Sequence, residues 1–375
     1  MENSKRAVGL DILKTVAAIM IIVLHYNGYS GNLMPSTVSN YGLFVISNLM
    51  ESFCICGVNV FVIISSYLSI KAMKTNVESG IKRTVSVWVQ TIIVTIPLAV
   101  LLLLTGIAKF SVKDILFSVF PFSTRAYWFI TTFMCFSLLL PLLNRSVKVL
   151  LISSLLYVSC VLVAVFCVIP TFFELFGWND VQHGYSLAWF VTLYYCTAFC
   201  MKSQWYKKIP AWIYGVGYVV CSLCLWGSVL VIGSIGPLSG YANYFIRNYA
   251  SVPIFIQSFL LVFVFLRLDF KGFGKKQVFS ILASGSLMSY ILHMHPLLKQ
   301  FYTRIYIGTY YAKDALTYII ICIVISMLVF LMGVLMYHAL KKPITLITGY
   351  TIEQVKQIMV SLHKFSCINR KEHTK

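Results

Sequence analysis

Three ionisable residues lie in the first apolar stretch of the chain, whose sequence is RAVGLDILKTVAAIMIIVLHYNG. They are Asp11, Lys14 and His25. An ionisable side chain at the centre of a membrane helix costs about 2.5 to 3.5 kcal/mol, so residues of this kind usually serve a function there. A neutral imidazole can accept a proton near neutral pH, and a lysine is a point cation that can hold an anion. We therefore interpret His25 as a candidate general base and Lys14 as a candidate anion-binding residue.

The spacing of these three residues places them on one side of a helix. Lys14 and His25 are eleven positions apart, which at about 100° per residue is three turns plus roughly 20°, or about 16 Å along the axis. Asp11 falls on the same side, one turn before Lys14. The pattern indicates a polar stripe along the helix. A structural alternative stays open, in which Asp11 and Lys14 form an ion pair at the membrane interface and His25 marks the other boundary.

The rest of the chain consists mostly of apolar stretches that are long enough to cross a bilayer. Of its 375 residues, 59% are hydrophobic and 11% are charged, and the mean hydropathy is +0.85. A membrane helix needs about 20 mostly apolar residues. We place ten spans at roughly 8–28, 42–70, 87–107, 127–144, 148–169, 187–201, 211–233, 251–268, 277–298 and 315–340. The sequence thus predicts an all-α, polytopic transmembrane helix bundle over 1–340, followed by a basic cytoplasmic tail over 341–375.

The basic residues predict the orientation of the bundle, because Lys and Arg are retained on the cytoplasmic side. With the N-terminus inside, roughly 23 of the 30 Lys and Arg residues fall in inner segments and roughly 7 in outer loops. The inner clusters are Lys5 and Arg6; Lys71, Lys74, Lys82 and Arg83; Arg145 and Lys148; Lys202, Lys207 and Lys208; Lys271, Lys275 and Lys276; and the tail from Lys341. Both termini are predicted to be cytoplasmic. The net charge of +19 follows from these loops and predicts contact with membrane lipid and no nucleic-acid partner.

The eleven cysteines do not form a metal-binding pattern. Cys54 and Cys56 are spaced CxC, and Cys221 and Cys224 are spaced CxxC, but neither pair has a second cysteine pair or a nearby histidine to complete a zinc site. Most of the others lie within predicted spans, where a thiol behaves as a small hydrophobic group. We expect no bound metal.

Four segments together resemble one family, the bacterial integral membrane acyltransferases known as acyltransferase family three. The first is GLDILKTVAAIMIIVLH, where the family has a basic residue, usually Arg, eleven positions before a histidine. The second, GVNVFVIISSYL (Gly57–Leu68), is similar to a Ser-Gly-Tyr segment, although Ser66 replaces Gly and Asn59 stands where Asp is common. The third, YWFITTFMCFSLLLPLL (Tyr127–Leu143), resembles a Trp-Phe helix that ends at a proline. The fourth, SLMSYILHMHPLL (Ser286–Leu298), resembles a Tyr-Leu-Ile-His segment, with its histidine at His293 or, in a second register, at His295.

The resemblance implies transfer of an acyl group, most often acetyl, from cytoplasmic acyl-CoA to a hydroxyl of a cell-surface polysaccharide or its lipid-linked precursor. It also implies a multi-pass location in a bacterial plasma membrane, with acyl-CoA as co-substrate, no bound cofactor, and polysaccharide biosynthesis machinery as a partner. His25 would act as the catalytic base, and Lys14 with Asp11 would bind the donor. The substrate cavity would include His293, Asn59, Ser65 and Trp128, each of which could also have a purely structural role in packing helices.

Several alternatives stay open on the sequence alone. His25 could itself be acylated and pass the group on, or the donor could reach the acceptor directly. A transporter or flippase of a lipid-linked glycan would also have about ten spans and intramembrane ions, although no Pro- and Gly-interrupted helices recur in corresponding halves. A membrane sensor or assembly protein without catalysis would tolerate loss of His25. The acceptor, the position of its hydroxyl, the size of the acyl group and the oligomeric state are not indicated by the sequence.

Overall fold

The computed structural model describes residues 8–34, 40–107, 109, 111–122, 127–173, 182–270, 276–298 and 314–372. Within these ranges the protein is all-α, with no strand. The helices of the first half are α1 (Val8–Ser30), α2 (Tyr41–Cys54), α3 (Gly57–Ala72), α4 (Val77–Leu104), α5 (Val112–Val119) and α6 (Trp128–Val149). Those of the second half are α7 (Ile152–Val163), α8 (Ile169–Phe173), α9 (Leu187–Ser203), α10 (Ala211–Ser234), α11 (Val252–Arg267), α12 (Lys276–Ser284), α13 (Ser286–His293) and α14 (Ala315–Glu372).

Shorter helical turns complete the described backbone. A π-helical turn at Ala164–Val168 joins α7 to α8, so that these two helices form one apolar element, Ile152–Phe173. The 3-10 turns are Gln182–Gly184, Trp205–Lys208 and Gly236–Tyr241.

Seven helical elements are long and apolar enough to cross a membrane among the residues described. They are Val8–Ser30, Tyr41–Ala72, Val77–Leu104, Trp128–Val149, Ile152–Phe173, Ala211–Ser234 and Ala315–Ile358. The helix α11, with 16 residues, is apolar but shorter. The predicted class, a membrane helix bundle, is confirmed. The number of crossings and the side on which each terminus lies stay predictions.

One predicted span is wrong as a continuous helix. The stretch 277–298 is broken at Gly285 into α12 and α13, and α13 ends at His293. A Cβ atom on Gly285 would lie 2.5 Å from the Cα of Val334, and one on Gly333 would lie 2.3 Å from the Cα of Ser289. The backbones of α13 and α14 therefore touch, as small residues allow in membrane helix packing. This contact fixes the position of the segment that carries His293.

Two helix boundaries extend beyond the predicted apolar stretches. The helix α4 begins at Val77, whereas the third span was placed from 87, so Lys82 and Arg83 lie on a helix and not in a loop. The helix α14 continues past Lys341 to Glu372, so the predicted basic tail is helical as far as the structure describes it. Hydropathy locates the part of a helix that lies in lipid and gives no signal for the part that continues into water.

The first helix lies inside the bundle. It packs against α2, α3, α11, α12, α13 and α14, and Leu13, Ala17 and Ile22 are fully buried. The polar stripe on α1 therefore faces other helices of the protein. This is the arrangement expected when intramembrane ionisable residues line a site.

Candidate active site

Two histidines from distant parts of the sequence meet at the centre of the candidate site. The Nδ1 atom of His25 on α1 lies 2.8 Å from the Nε2 atom of His293 at the end of α13. The ring centroids are 4.9 Å apart. His293 is buried, with 3% of its surface exposed, whereas His25 is half-buried. Of this pair, His25 is therefore the residue that a substrate can reach.

A backbone carbonyl sets the positions of the protons on this pair. The Nδ1 atom of His293 lies 2.7 Å from the carbonyl oxygen of Ser289. A carbonyl oxygen only accepts hydrogen bonds, so Nδ1 of His293 must carry a proton. When both rings are neutral, Nε2 of His293 then accepts from Nδ1–H of His25. The remaining nitrogen of His25, Nε2, is the basic one. This is the arrangement in which a second group orients a general base.

Two tyrosine rings, those of Tyr29 and Tyr290, pack near the histidine pair. The ring of Tyr29 stacks near His25 at 6.4 Å between centroids, and Tyr290 approaches both histidines, at 6.5 Å from His25 and 5.6 Å from His293. The hydroxyl of Tyr127 donates to the carbonyl of Ile291 at 2.9 Å. This hydrogen bond ties the start of α6 to α13, which fixes His293 from a second direction.

A cavity of about 130 Å³ lies below the histidine pair and contains Lys14. Ser65 and Tyr290 also line it, together with Phe129 and Phe133 of α6. The hydroxyls of Ser286 and Tyr290, both lining residues, have no hydrogen-bond partner among the described residues. A cation and unpaired hydroxyls in an otherwise apolar cavity are suited to a polar group on a mostly apolar ligand.

A larger cavity of about 390 Å³ lies further along α6 and is basic. Lys74, Lys82 and Arg83 line it, with Ser137 and Thr348. Arg83 Nη1, Ser137 Oγ and Thr348 Oγ1 are buried without a hydrogen-bond partner among the residues the structure describes. Buried donors of this kind are costly unless a ligand or water satisfies them, and a guanidinium with lysines is a typical phosphate-binding set.

The helix α6 forms a wall of both cavities. Phe129 and Phe133 line the Lys14 cavity, and Ser137, Leu140 and Asn144 line the basic cavity. Phe129 and Ser137 are eight positions apart, which corresponds to about 12 Å along the helix. The basic cavity and the Lys14 cavity thus follow one another along α6, and the hydroxyl of Tyr127 at its start reaches the segment that carries His293.

The remaining predicted site residues lie in different places. Ser65 lines the Lys14 cavity, as described, whereas Asp11 is buried near the start of α1 and is not among the described residues that line it. Asn59 uses both ends of its amide, since Nδ2 donates to the carbonyl of Tyr249 at 2.8 Å and Oδ1 accepts from Trp189 Nε1 at 2.9 Å. Asn59 therefore positions the loop that carries Tyr249. Trp128 contacts Tyr185 at 4.2 Å between centroids.

Arg83 and Glu51 line cavities, although neither is predicted from the sequence to belong to a site. Arg83 was treated only as a marker of orientation, because the predicted third span began after it. Glu51 is buried within the predicted second span and lines a third cavity. The signal for Glu51 was present, since it is an acidic residue inside a predicted span and meets the criterion that singled out Asp11.

The fold and the site together define a membrane helix bundle with a half-buried, oriented histidine next to cation-containing cavities. The family model described as "Acyltransferase domain" matches residues 8–339 of the chain. This range includes both histidines and every cavity-lining residue named above except Thr348. The protein belongs to this family of integral membrane acyltransferases, acyltransferase family three. No curated protein and no solved structure matches the chain significantly.

Proposed function

We propose that the protein is an O-acyltransferase of the bacterial plasma membrane that moves an acyl group, acetyl in the first instance, from cytoplasmic acyl-CoA to a hydroxyl of a surface polysaccharide or its lipid-linked precursor. The observation that carries this proposal is the hydrogen-bonded pair His25 and His293, in which the accessible ring is the basic one. Family membership supports the acyl transfer itself. The donor, the acceptor and the location are the proposed elements.

In the proposed reaction the acceptor hydroxyl attacks the thioester carbonyl. His25 Nε2 takes the hydroxyl proton as the C–O bond forms, and the C–S bond breaks to release the CoA thiolate. The proton passes from His25 to that thiolate, which leaves as CoA, so the imidazole is regenerated. A sugar hydroxyl is a poor nucleophile until its proton is removed, and general base catalysis of this kind contributes about 10²- to 10⁴-fold in rate.

The two cavities on α6 support a cytoplasmic donor. Phosphate groups of the CoA nucleotide would bind Arg83, Lys82 and Lys74, which the positive-inside pattern places on the cytoplasmic side. The pantetheine arm would extend along α6 into the Lys14 cavity. Lys14 would then hold a polar group of the donor as a point charge. Because Tyr290 lines this cavity and also contacts His25, the thioester would reach the histidine pair without a covalent relay.

The test is acyl transfer by purified protein in lipid nanodiscs, measured as CoA release from acetyl-CoA that depends on added glycan, with product ester detected by mass spectrometry. We expect His25→Ala to lower the glycan-dependent rate by about 10²- to 10⁴-fold, the range for loss of a general base. The matched control is His338→Ala, an exposed histidine on α14 that contacts Ser284 and the carbonyl of Ile281. Full activity of the His25 variant would refute the assigned role. Glycan movement across vesicles without CoA release would favour a transporter.

A further inference from the structure

A third cavity, of about 330 Å³, lies at the C-terminal end of α1. Gly28 of α1 and Gly31, which follows the end of α1, form one wall, and Gly28 is one helical turn after His25. A Cβ atom added at either glycine would meet nothing within 4 Å. This outer cavity therefore has open space next to the helix that carries the catalytic histidine, at the end predicted to face away from the cytoplasm.

The outer cavity contains an acid and a base that do not pair with each other. Glu51 is buried, with 8% of its surface exposed, and its described hydrogen bond joins Oε2 to Asn27 Nδ2 at 3.1 Å. Arg247 is exposed, and its described contact is from Nη2 to the sulfur of Met34 at 3.3 Å, a weak acceptor. The described residues supply no ion pair to either group. An acidic side chain and a guanidinium in one cavity can therefore each bind part of the same ligand.

Polar and aromatic groups complete the lining. Asn243 is buried, and its Oδ1 atom has no hydrogen-bond partner among the described residues, although its Nδ2 donates to the carbonyl of Leu33 at 2.7 Å. Tyr185 and Tyr249 add aromatic surface, with their rings 5.3 Å apart. Burial raises the pKa of both tyrosines, so neither adds a negative charge. Aromatic rings with a few directed polar groups form a lining that suits a sugar ring.

We propose that the outer cavity binds the acceptor as an acidic glycan, with Arg247 pairing with its carboxylate or phosphate and Glu51 accepting hydrogen bonds from its hydroxyls. The proposal rests on the proposed acyltransferase function. Arg is the residue best suited to such a pairing, because its planar guanidinium binds a carboxylate or phosphate through two parallel hydrogen bonds. Asn27, itself held by Tyr318 at 2.8 Å, fixes the carboxyl group of Glu51 in place.

Binding is measured in nanodiscs on the His25→Ala protein, so that no transfer occurs during the measurement. The probes are an oligogalacturonate, its carboxyl-reduced neutral counterpart and a glycerol-phosphate oligomer. We expect at least tenfold tighter binding of one acidic probe than of the neutral one. Which of the two acidic probes binds shows whether the anionic group that the cavity recognises is a carboxylate or a phosphate. Equal binding of acidic and neutral probes, or no binding of either acidic probe, would overturn the proposal.

Added substitutions then locate the binding. Arg247→Ala should remove the preference for the acidic probe and leave neutral binding unchanged, and Arg247→Lys should restore part of the preference. Gly28→Leu should block all probes, whereas Gly227→Leu, also in open space, should not. Glu51→Gln should weaken acidic and neutral probes equally. A preference that survives in Arg247→Ala, or probe binding that survives in Gly28→Leu, would place the ligand elsewhere.

The failure of this proposal is distinguishable from that of the proposed function. Acyl transfer that requires His25 but is indifferent to Arg247→Ala would overturn the acidic-glycan site and leave the acyltransferase function standing. Charge-selective binding without acyl transfer to any probe in the unsubstituted protein would overturn the acyltransferase function and leave the acidic-glycan site standing. Lys207→Ala, which removes another exposed basic residue, is the matched control for a general effect of charge.

Discussion

Replacing His293 tests whether it acts only through His25. In His293→Leu the ring of His25 keeps its place but loses the acceptor for its Nδ1–H. The other tautomer, with the proton on Nε2, is then no longer disfavoured. In His293→Gln a side-chain carbonyl can still accept from Nδ1–H, so the correct tautomer is retained.

The size of the effect follows from one hydrogen bond. A bond of 2.8 Å between neutral groups contributes about 0.5 to 1.5 kcal/mol net. At about 1.36 kcal/mol per factor of ten, its loss lowers the ratio of the productive tautomer to the other tautomer by about 2- to 13-fold. We therefore expect His293→Leu to lower kcat by no more than this factor, well below the about 10²- to 10⁴-fold loss expected for His25→Ala. His293→Gln should recover most of the rate.

A double-mutant cycle gives the decisive measurement. Initial rates of glycan-dependent CoA release are compared for His25→Ala, His293→Leu and the double variant. If His293 acts through His25, the double variant is no slower than His25→Ala alone, because the two effects are not additive. His295→Leu is the matched control, since His295 is also buried but contacts the carbonyl of Thr95, and its effect should add to that of His25→Ala. Additive effects of His293→Leu would refute the role of His293 in orienting His25.

The remaining predictions concern packing and donor binding. Gly333→Ala should lower the free energy of unfolding by about 1 to 3 kcal/mol, and activity with it, because the added methyl group overpacks against Ser289. Gly227→Ala, in open space, should change neither quantity. Equal melting temperatures of the two variants would contradict the close contact. Arg83→Gln should raise KM for acetyl-CoA at least tenfold and leave KM for glycan nearly unchanged, because a charge-assisted hydrogen bond is worth about 1.5 to 3 kcal/mol. An unchanged KM for acetyl-CoA would exclude the basic cavity as the donor site. Lys14→Met should lower kcat/KM for the donor and Lys14→Arg should largely retain it, as steady-state kinetics would measure; similar losses in both variants would argue for packing and against charge.

The sequence predicted the first helix and its residues better than it predicted their partners. Lys14 and His25 share one side of α1 because of the helical period alone, which is a local property of the sequence. The contact between His25 and His293 joins residues 268 positions apart. Only the family resemblance suggested His293, and it left the registers at His293 and His295 open. In the structure the ring of His293 faces His25 on α1, and that of His295 faces the carbonyl of Thr95 on α4.

The errors have physical causes of the same kind. The break at Gly285 depends on the close approach of Val334 from another helix, which no property of the segment itself reveals. Arg83 was assigned to a loop because hydropathy marks the lipid-embedded part of α4 and not its start at Val77. The polarity of Asn59 left open whether it lines a cavity or joins helices, and both of its groups are used in joining Tyr249 and Trp189.

The last helix, α14, joins the basic cavity to the region of the histidine pair. Along α14, Gly333 contacts Ser289 beside the histidine pair, Thr348 lines the basic cavity, and Lys356 forms an ion pair with Glu78 at 2.8 Å. Gly333 and Thr348 are about 22 Å apart along one helix. A movement of α14 at Thr348 is therefore transmitted towards α13, except where Pro343 interrupts the backbone hydrogen bonds and allows the helix to bend. The basic cavity and the histidine pair thus share one continuous helix, and Pro343, which lies between Gly333 and Thr348, is the point at which that helix can bend.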